Sequence, residues 1–398
     1  MSEATGFLVY ILPWSVVLLW LAALVRTLVF LRRRPRLEID PKSEGESETF
    51  VSILVPARNE ASRVLDRSIP SMINQTCRNF ELIVLNDRST DETLKILEKI
   101  KARRDSDPAF HIIDGAELPE GWLGKPRALE QARQMAGGDW ILTTDADIIF
   151  APKALHTAVR RAESEDLDAL TLSPKQILVS FWEKLFMPVF GWFNLLTMPL
   201  HRVNDPNRKE SMGVGNFFMF RRTLLENLGG FAIVRDEVAE DLKLAALIKA
   251  KGYKLRIFDA PGLIETRMYQ GLSGIWEGFS KNFFPGMNYS IGKTFAGAIS
   301  IFLFGAMPFF SAVAALVFGQ LALFLPFLLV YILQVMTFLL YRIALRENPL
   351  YAFLTPLGLF LFAAILINSA VRIISGKGVR WKDREIYQRG GIRRPPAG

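Results

Sequence analysis

The stretch "TTDAD" at 143–147 places two carboxylates, Asp145 and Asp147, one residue apart and directly after the apolar run 140–142. Alternate residues of a strand face the same way, so both carboxylates could approach one hard cation. Mg²⁺ and Mn²⁺ are commonly held by one or two carboxylates together with substrate phosphates and water. Most isolated D-x-D sequences are turn or cap residues. The place of this one at the end of a buried strand favours the metal interpretation.

Asp87 and Lys125 suit a nucleotide and its phosphates. Asp87 follows the apolar run 80–85 and could accept a hydrogen bond from a ribose or base, whereas Asp91 is typical of a helix cap. Gly124-Lys125 precedes a predicted helix, where free amides, the helix dipole and an ammonium group favour a phosphate. A solvated surface lysine fits that position equally well.

Glu240-Asp241 opens a periodic helix that ends near Gly252. Adjacent acids at a helix start usually complement the helix dipole or cap it. A carboxylate there could also act as a general base if it faces the site with a perturbed pKa. Both interpretations remain open from the residues alone.

Several common chemistries lack their sequence signatures. No G-x-G-x-x-G follows the first predicted strand, which argues against a dinucleotide dehydrogenase, and no P-loop surrounds Lys125. With 3 histidines and no H-E-x-x-H, zinc hydrolysis has little support.

The net charge of +8 comes largely from basic residues beside apolar segments, at 32–36 and 372–394. This favours an anionic membrane surface as a partner, and we predict no nucleic acid partner.

Apolar strands alternate with helices between residues 50 and 144. We predict strands at 50–55, 80–85, 110–113 and 140–144, and helices at 61–73, 91–103 and 126–135. This alternation predicts an α/β domain with a parallel sheet covered on both faces. Ligands of such sheets bind beyond the carboxyl ends of the strands, so 56–60, 86–91 and 145–147 should share one rim.

Four apolar segments are each long enough to cross a membrane: 7–31, 294–318, 321–341 and 351–371. The arginines at 32–34 follow the first segment, so the positive-inside rule places the following domain in the cytoplasm, attached to an inner or cytoplasmic membrane. Three carboxyl-terminal crossings would then leave the basic tail outside, against the same rule. The single Cys77 agrees with a reducing compartment.

We predict four regions: a transmembrane anchor at 1–36, a catalytic domain at 37–290, a carboxyl-terminal transmembrane region at 291–374 and a basic tail at 375–398. Within the second, the aromatic segment at about 177–203 is predicted either as an amphipathic stretch in the membrane interface or as a core helix.

Six stretches occur in an order typical of one enzyme family. They are "VSILVPARNE", "LIVLNDRSTDET", "GWLGKPRALEQA", "TTDAD", "GVGNFFMFRR" and "VAEDLKLAALIKAKGYKLR". Together they resemble membrane-bound family-2 glycosyltransferases with the GT-A fold, a Rossmann-like, mixed but mainly parallel sheet. Two further stretches, "RMYQGLSGIWEGFSKN" (267–282) and "VRWKDREIY" (379–387), resemble the branch that glycosylates hopanoids and carotenoid acids.

The resemblance implies a role for each candidate residue. A nucleotide-sugar donor, most often a UDP-sugar, would lie against Pro56, Ala57, Asn59 and Glu60, with its base near Asp87. Its ribose and diphosphate would lie near Lys125 and Asp145, and a divalent metal, Mg²⁺ or Mn²⁺, would bind Asp147. Asp241 would be the catalytic base, with Glu240 as the fallback, and 213–218, including Gly213, Gly215 and Asn216, would border the acceptor.

The chain departs from the family pattern at two positions. Asn86 replaces a frequent first aspartate, so the base contact would depend on Asp87 alone. The Q-x-x-R-W motif of processive synthases is missing, and Phe279-Ser280-Lys281-Asn282 lies near its place. The missing motif predicts transfer of a single sugar. Together with the resemblance, it implies inverting transfer of one sugar to a membrane lipid such as a terpenoid. A polyprenyl-phosphate glycosyltransferase and a non-catalytic nucleotide-sugar-binding protein are the alternatives.

Overall fold

A computed structural model describes residues 3–39, 48–103, 109–198, 200–287, 289–375, 379–381 and 384–386. They form two compact units. The first contains the described residues of 1–34, 178–199 and 269–379, and the second those of 35–177, 200–268 and 380–398. Segments 178–199 and 269–290 thus belong to the unit with the long apolar helices, whereas the sequence placed them with the 37–290 domain. Most of the predicted tail 375–398 lies outside the described residues.

The helices are, in chain order, α1 Glu3–Arg33, α2 Leu65–Ile73, α3 Thr93–Ala102, α4 Gly124–Met135, α5 Ala154–Ser164, α6 Phe181–Thr197, α7 Leu200–Val203, α8 Arg222–Asn227, α9 Glu240–Ala250, α10 Gly271–Gly286, α11 Ile291–Ile301, α12 Met307–Val317, α13 Leu321–Ala344 and α14 Thr355–Ile374. The strands are β1 Val51–Ala57, β2 Phe80–Asn86, β3 Phe110–Asp114, β4 Trp140–Thr143, β5 Ile148–Phe150, β6 Ala169–Ser173, β7 Lys175–Gln176, β8 Phe218–Arg221, β9 Leu255–Asp259, β10 Ile264–Thr266, β11 Val379–Trp381 and β12 Arg384–Ile386.

The second unit is built on a seven-stranded sheet in the order β3-β2-β1-β4-β8-β6-β9. β1 pairs in parallel with β2 and β4, β2 with β3, and β6 with β9. Only β8 reverses direction, because it is antiparallel to both β4 and β6. The sheet is therefore mixed and mainly parallel, as the family resemblance predicts. A smaller sheet has the order β5-β10-β7.

The continuous apolar strands are explained by burial on both faces of the large sheet. Val51, Ile53 and Val55 contribute to one hydrophobic cluster, while Leu54 contributes to another. Successive strand residues point to opposite faces, so a strand between two helical layers needs apolar residues at every position.

The first unit holds four helical segments long and apolar enough to cross a membrane: Ile11–Arg33, Ile291–Val317, Leu321–Ala344 and Pro349–Ile374. One is amino-terminal and three are carboxyl-terminal, which confirms the predicted number and order. Large apolar side chains such as Leu18, Val317 and Phe318 are exposed on these helices. An exposed apolar surface of this extent is typical of contact with lipid.

Helix α6, which lies within the aromatic segment 177–203, packs into the first unit through its aromatic side chains. Trp192 stacks on Trp20 of α1 with a ring separation of 5.4 Å, and Phe193 stacks on Phe362 of α14 at 4.8 Å. The indole N–H of Trp192 also donates to Thr27 Oγ1 at 2.9 Å. These contacts favour the core-helix interpretation of this segment.

Candidate functional site

The carboxyl ends of three neighbouring strands form one rim in the second unit. Ala57, the last residue of β1, is paired with Asn86 at the end of β2, and Leu54 of β1 is paired with Thr143 at the end of β4. Phe218 opens β8 opposite Thr143, and since β8 is antiparallel, the residues before it reach the same rim. The loops predicted to carry the site therefore converge there.

The loops after β1 and β2 are tied together by side chains. The Asn59 side-chain oxygen accepts from the Thr90 amide at 2.9 Å, and Asp91 Oδ2 accepts from the Ala61 amide at 3.0 Å. The amide of Glu60 donates to Thr93 Oγ1 at 2.8 Å. Asn59 has a left-handed backbone with φ of 48°, a conformation that asparagine tolerates better than most residues. These hydrogen bonds hold the two loops in a fixed relation.

Asp87 lies at the start of the second loop and is buried. Its amide donates to the Ala57 carbonyl at 2.8 Å, its carboxylate accepts from Arg88, and Arg58 donates to its carbonyl at 2.7 Å. Neighbouring Asn86 is used inside the protein, where its side-chain nitrogen donates to Asp114 at 2.9 Å. Of this pair, Asp87 is the residue whose position suits a bound base.

The two carboxylates of "TTDAD" have different partners. β4 ends at Thr143, so Asp145 and Asp147 lie in the turn that follows, not on a strand. Asp145 is contacted by Lys125 at 2.8 Å and by the Asn216 side-chain nitrogen at 3.1 Å. Asp147 instead accepts from Arg63. The turn separates the carboxylates that an extended strand would have aligned.

Lys125 links the two parts of the predicted site. Helix α4 begins at Gly124, one residue before the lysine, which therefore lies in its first turn. The Lys125 ammonium is 2.8 Å from Asp145 Oδ1 and also 2.8 Å from Glu240 Oε1. Burial alone lowers its pKa, but the charges of Asp145, Glu240 and Asp241 outweigh this and hold the pKa well above its ordinary value. The lysine therefore stays charged between the D-x-D turn and the first turn of α9.

Asp241 has the environment of a general base. Its Oδ2 accepts from the Gly215 amide and its Oδ1 from the Leu242 amide, both at 2.8 Å. Burial and the neighbouring Glu240 carboxylate raise the pKa of Asp241 to about 6, against the opposing effects of Lys125 and the two amides. A base with a pKa near neutrality is ionised at pH 7 and still accepts a proton readily. Glu240 is instead paired with Lys125, which makes it the weaker candidate.

The glycines before β8 permit this close arrangement. A Cβ at Gly213 would lie 2.4 Å from the carbonyl oxygen of Asp241, and a Cβ at Gly215 would lie 3.0 Å from Lys125 Nζ and 3.2 Å from Asp241 Oδ2. Position 213 excludes any side chain because it contacts backbone. Position 215 would place a methyl group between the acid and the lysine.

A small cleft lies beside these groups. Its polar lining includes Lys125, Thr144 and Asp241, and its apolar lining includes Phe218 and Phe231. The apolar side explains the desolvation that raises the pKa of Asp241. Thr144 also fixes the rim, because its hydroxyl donates to the Asn216 carbonyl at 2.7 Å.

The structure therefore gathers the candidate residues into two neighbouring groups. One contains Lys125, Asp145, Gly213, Gly215, Asn216, Glu240 and Asp241, and the other contains Pro56, Ala57, Asn59, Glu60, Asp87 and Asp147. The sequence reasoning missed Arg58, Arg63 and Thr144. Arg63 had a usable signal, since it lies three residues after Glu60 in the predicted nucleotide loop.

A divalent metal would find hard oxygen ligands at this rim. Among the described residues, no cluster of three or more His, Cys, Asp or Glu side chains is arranged to hold a metal. The Asp147 carboxylate offers one protein ligand at the rim, which fits the usual binding of Mg²⁺ by few carboxylates plus substrate phosphate and water. Arg63 contacts the same carboxylate.

Comparison with known proteins agrees with this geometry. Residues 52–229 match the Glycosyl transferase family 2 profile. A 4,4'-diaponeurosporenoate glycosyltransferase from Staphylococcus haemolyticus is 24% identical over 370 residues, covering 91% of this chain and 95% of that protein. A poly-beta-1,6-N-acetyl-D-glucosamine synthase from Staphylococcus aureus is 23% identical over 253 residues, covering 62% of this chain and 55% of that protein.

The fold has a solved counterpart. A mannosyltransferase from Pyrobaculum calidifontis, in complex with GDP-Man and Mn²⁺, aligns with a TM-score of 0.51 at 20% identity, covering 94% of this chain and 98% of that one. The chain contains a Glycosyl transferase family 2 domain of the GT-A fold and is a glycosyltransferase.

Proposed function

We propose that the chain transfers one sugar, with inversion, from a nucleotide diphosphate sugar to a membrane lipid. A UDP-sugar is the first donor to test, and a terpenoid such as a hopanoid or carotenoid is the proposed acceptor. The four apolar helices support an acceptor in the membrane, and so does the similarity to a 4,4'-diaponeurosporenoate glycosyltransferase over most of both chains. The second unit, which contains the candidate site and is called the catalytic unit below, is proposed to face the cytoplasm. It would lie beside anionic lipid headgroups.

The position of Lys125 is the observation that carries this proposal. Its ammonium contacts both Asp145, on the proposed donor side, and Glu240, beside the proposed base. A donor diphosphate near Lys125 would therefore have its anomeric carbon within reach of an acceptor that is activated from the α9 side.

In the proposed reaction, an acceptor hydroxyl attacks the anomeric carbon while Asp241 removes its proton. The bond between that carbon and the diphosphate oxygen breaks, and the nucleoside diphosphate leaves with the bonding electrons. Lys125 stabilises the charge that develops on the leaving group. A bound Mg²⁺ or Mn²⁺ at Asp147 would supply further charge neutralisation there. A carboxylate acceptor would already be ionised and would not need the base.

The chain departs from the processive synthases in a way that supports single transfer. Phe279-Ser280-Lys281-Asn282 stands near the expected place of the Q-x-x-R-W motif, so the residues of that motif are replaced there. We therefore expect a product with one added sugar. The match to the Staphylococcus aureus synthase covers little more than half of that protein.

The experiment uses the full chain, purified in detergent, with Mg²⁺ or Mn²⁺ and a panel of UDP- and GDP-sugars. Lipid extracts serve as acceptors, and mass spectrometry detects a lipid whose mass increases by one sugar. Release of nucleoside diphosphate without a glycosylated lipid contradicts the lipid acceptor. Binding of donors without release on any extract favours a non-catalytic binding protein, and products confined to polyprenyl phosphates favour the other acceptor class.

The Asp241→Asn variant tests the proposed base. It removes the proton acceptor and keeps the size of the side chain, so transfer to a hydroxyl acceptor should fall by about 10²–10⁴-fold. Transfer to a hydroxyl that continues at the wild-type rate would overturn the assignment of Asp241.

A further inference from the structure

Arg63 lies between carboxylates of two loops at the rim. It belongs to the turn that connects the first loop to α2, and its amide donates to the Glu60 carbonyl at 2.9 Å. Its Nη1 donates to Asp147 Oδ2, and its Nε is 3.5 Å from Glu60 Oε2. The side chain is 26% exposed, compared with 13% for Asp147 and 7% for Glu60. The guanidinium therefore has a path to solvent, while its partners are largely covered.

Arg63 and a divalent metal compete for the same carboxylate. Mg²⁺ binds its oxygen ligands at about 2.0–2.1 Å, so a metal on the Asp147 carboxylate would lie close to the guanidinium. The two positive charges would repel each other strongly at that separation. A metal therefore binds Asp147 Oδ2 more tightly once Arg63 has moved away from it.

A donor diphosphate provides a new partner for the displaced side chain. The guanidinium fork matches phosphate oxygens and forms paired hydrogen bonds with them. Glu60 stays close to Nε, so the side chain can turn about this contact toward the rim. The diphosphate would then favour metal binding, because it holds Arg63 away from Asp147. The metal would favour diphosphate binding, because it displaces the Arg63 guanidinium toward the phosphate oxygens.

We propose that Arg63 neutralises Asp147 in the ligand-free enzyme and moves to the donor diphosphate when the metal binds. Arg63 is then a positioning residue that makes metal binding depend on the nucleotide. This inference rests on the proposed function, because it takes Asp147 as the metal ligand. It predicts positive coupling between Mn²⁺ and a nucleoside diphosphate, which strengthens the binding of both by the same factor.

The test measures Mn²⁺ binding to the full chain by electron paramagnetic resonance, with and without UDP or GDP. Wild type should bind Mn²⁺ weakly alone and much more tightly with the nucleotide that it accepts. Arg63→Gln should bind Mn²⁺ alone about tenfold more tightly, and the gain from nucleotide should shrink, since couplings of this kind span about 5–150-fold. Arg63→Lys, which keeps the charge and loses the fork, should weaken nucleotide binding while Mn²⁺ alone still binds poorly.

Arg67→Gln is the matched control, because Arg67 is an exposed arginine one turn further along α2. It should behave as wild type in every titration. Equal Mn²⁺ affinity of Arg63→Gln and Arg67→Gln in the absence of nucleotide overturns the inference.

Asp147→Asn separates the role of Arg63 from the assignment of Asp147 as the metal ligand. If that variant loses Mn²⁺ binding and Arg63→Gln binds as wild type, the role of Arg63 alone is wrong. If Asp147→Asn binds Mn²⁺ unchanged, the metal assignment is wrong and the inference falls with it. Coupling that is present in a chain that transfers no sugar would contradict the proposed function and support the role of Arg63.

Discussion

At the residue scale, the site depends on how carboxylates are paired with cations. Asp145 and Glu240 share Lys125, Asp147 is paired with Arg63, and Asp241 is held by two backbone amides. The pKa of Asp241 is raised to about 6. Its role can therefore be separated from that of its neighbours by measuring activity against pH.

The first prediction concerns pH. Because Asp241 must be ionised to accept a proton, kcat/KM for the nucleotide-sugar donor, measured with a hydroxyl acceptor present, should rise with pH through about 6 and level off above it. Asp241→Asn should lose this step along with most of the activity. A wild-type profile that is flat from pH 5 to 8 would contradict the assignment.

The second prediction concerns Gly215. In Gly215→Ala the new methyl group would lie 3.0 Å from Lys125 Nζ and 3.2 Å from Asp241 Oδ2, so these two groups must separate. We expect kcat to fall at least tenfold while thermal unfolding changes little, since the backbone of this residue is not left-handed. Gly262→Ala is the control, because a Cβ there meets no atom within 4 Å. Equal activity of the two variants would show that the spacing at Gly215 is unimportant.

At the element scale, two loops depend on one capping carboxylate. Asp91 Oδ1 accepts from the Thr93 amide at the start of α3, and Oδ2 accepts from Ala61 in the loop after β1. Burial alone raises its pKa, but the hydrogen bonds to Thr93 and Ala61 outweigh this and lower the pKa below its ordinary value. The ionised form is therefore favoured by folding. Its stabilising effect is present above the pKa of the unfolded state and is lost as pH falls through the lowered folded-state pKa.

The third prediction follows from this cap. Asp91→Ala should lower the free energy of unfolding by about 1 kcal/mol at pH 7, and by less at pH values where the carboxylate is protonated. Glu92→Ala removes an adjacent, exposed carboxylate that forms a surface ion pair with Lys95, and should have little effect. Thermal unfolding in detergent at pH 7 and at pH 2, well below the ordinary pKa of the carboxyl group, would measure both. A loss that is the same at both pH values would contradict the role of the charge.

The helices and strands predicted between residues 50 and 144 are found in the structure at or near the predicted positions. Apolar periodicity and the residues at helix starts are local features of the sequence, and they favour these elements directly. Predicted strands such as 80–85 and helices such as 126–135 differ from Phe80–Asn86 and Gly124–Met135 by only one or two residues. The reversed direction of β8 was not readable from "FFMF", because strand direction depends on pairing with β4 and β6. The family resemblance implied only that the sheet is mixed, without saying which strand is reversed.

The candidate site was predictable in type but not in its contacts. Acids and a lysine at strand ends indicated a rim, and the rim is present. The pairing of Arg63 with Asp147, and of Lys125 with Glu240, depends on how separate loops meet in space. The position of Arg63 three residues after Glu60 indicates that it lies near the site, but sequence spacing does not show that its partner is Asp147.

At the scale of the whole molecule, four helical segments are long and apolar enough to cross a membrane. If all four cross it, their number sets the side of the membrane on which each end of the last segment lies. With the catalytic unit in the cytoplasm, crossings by Ile291–Val317, Leu321–Ala344 and Pro349–Ile374 would leave Ser375 on the opposite side. This conflicts with the basic residues that follow it. The conflict can be resolved directly because the chain has one cysteine, Cys77, which is buried.

The fourth prediction uses this single thiol. Ser375→Cys should react with a membrane-impermeant maleimide in intact cells, since Ser375 is exposed and three helices separate it from the catalytic unit. Ser164→Cys, at an exposed position in that unit, should react only after lysis. Labelling of Ser375→Cys only after lysis would mean that one of the three segments does not cross.

The shared position of Lys125 has a thermodynamic consequence for how the enzyme exchanges protons. Its ammonium keeps the pKa of Asp241 lower than burial alone would make it, and a donor diphosphate would draw that ammonium away. Donor binding should then take up a fraction of a proton near pH 6, and the same linkage makes donor affinity rise as pH falls toward 6. Calorimetric titration of the nucleotide in buffers of different ionisation enthalpy would measure this uptake, and proton release would contradict it. In each catalytic cycle Asp241 would therefore take up a fraction of a proton when the donor binds and release it when the nucleoside diphosphate leaves. The movement of the Lys125 ammonium would couple the two events.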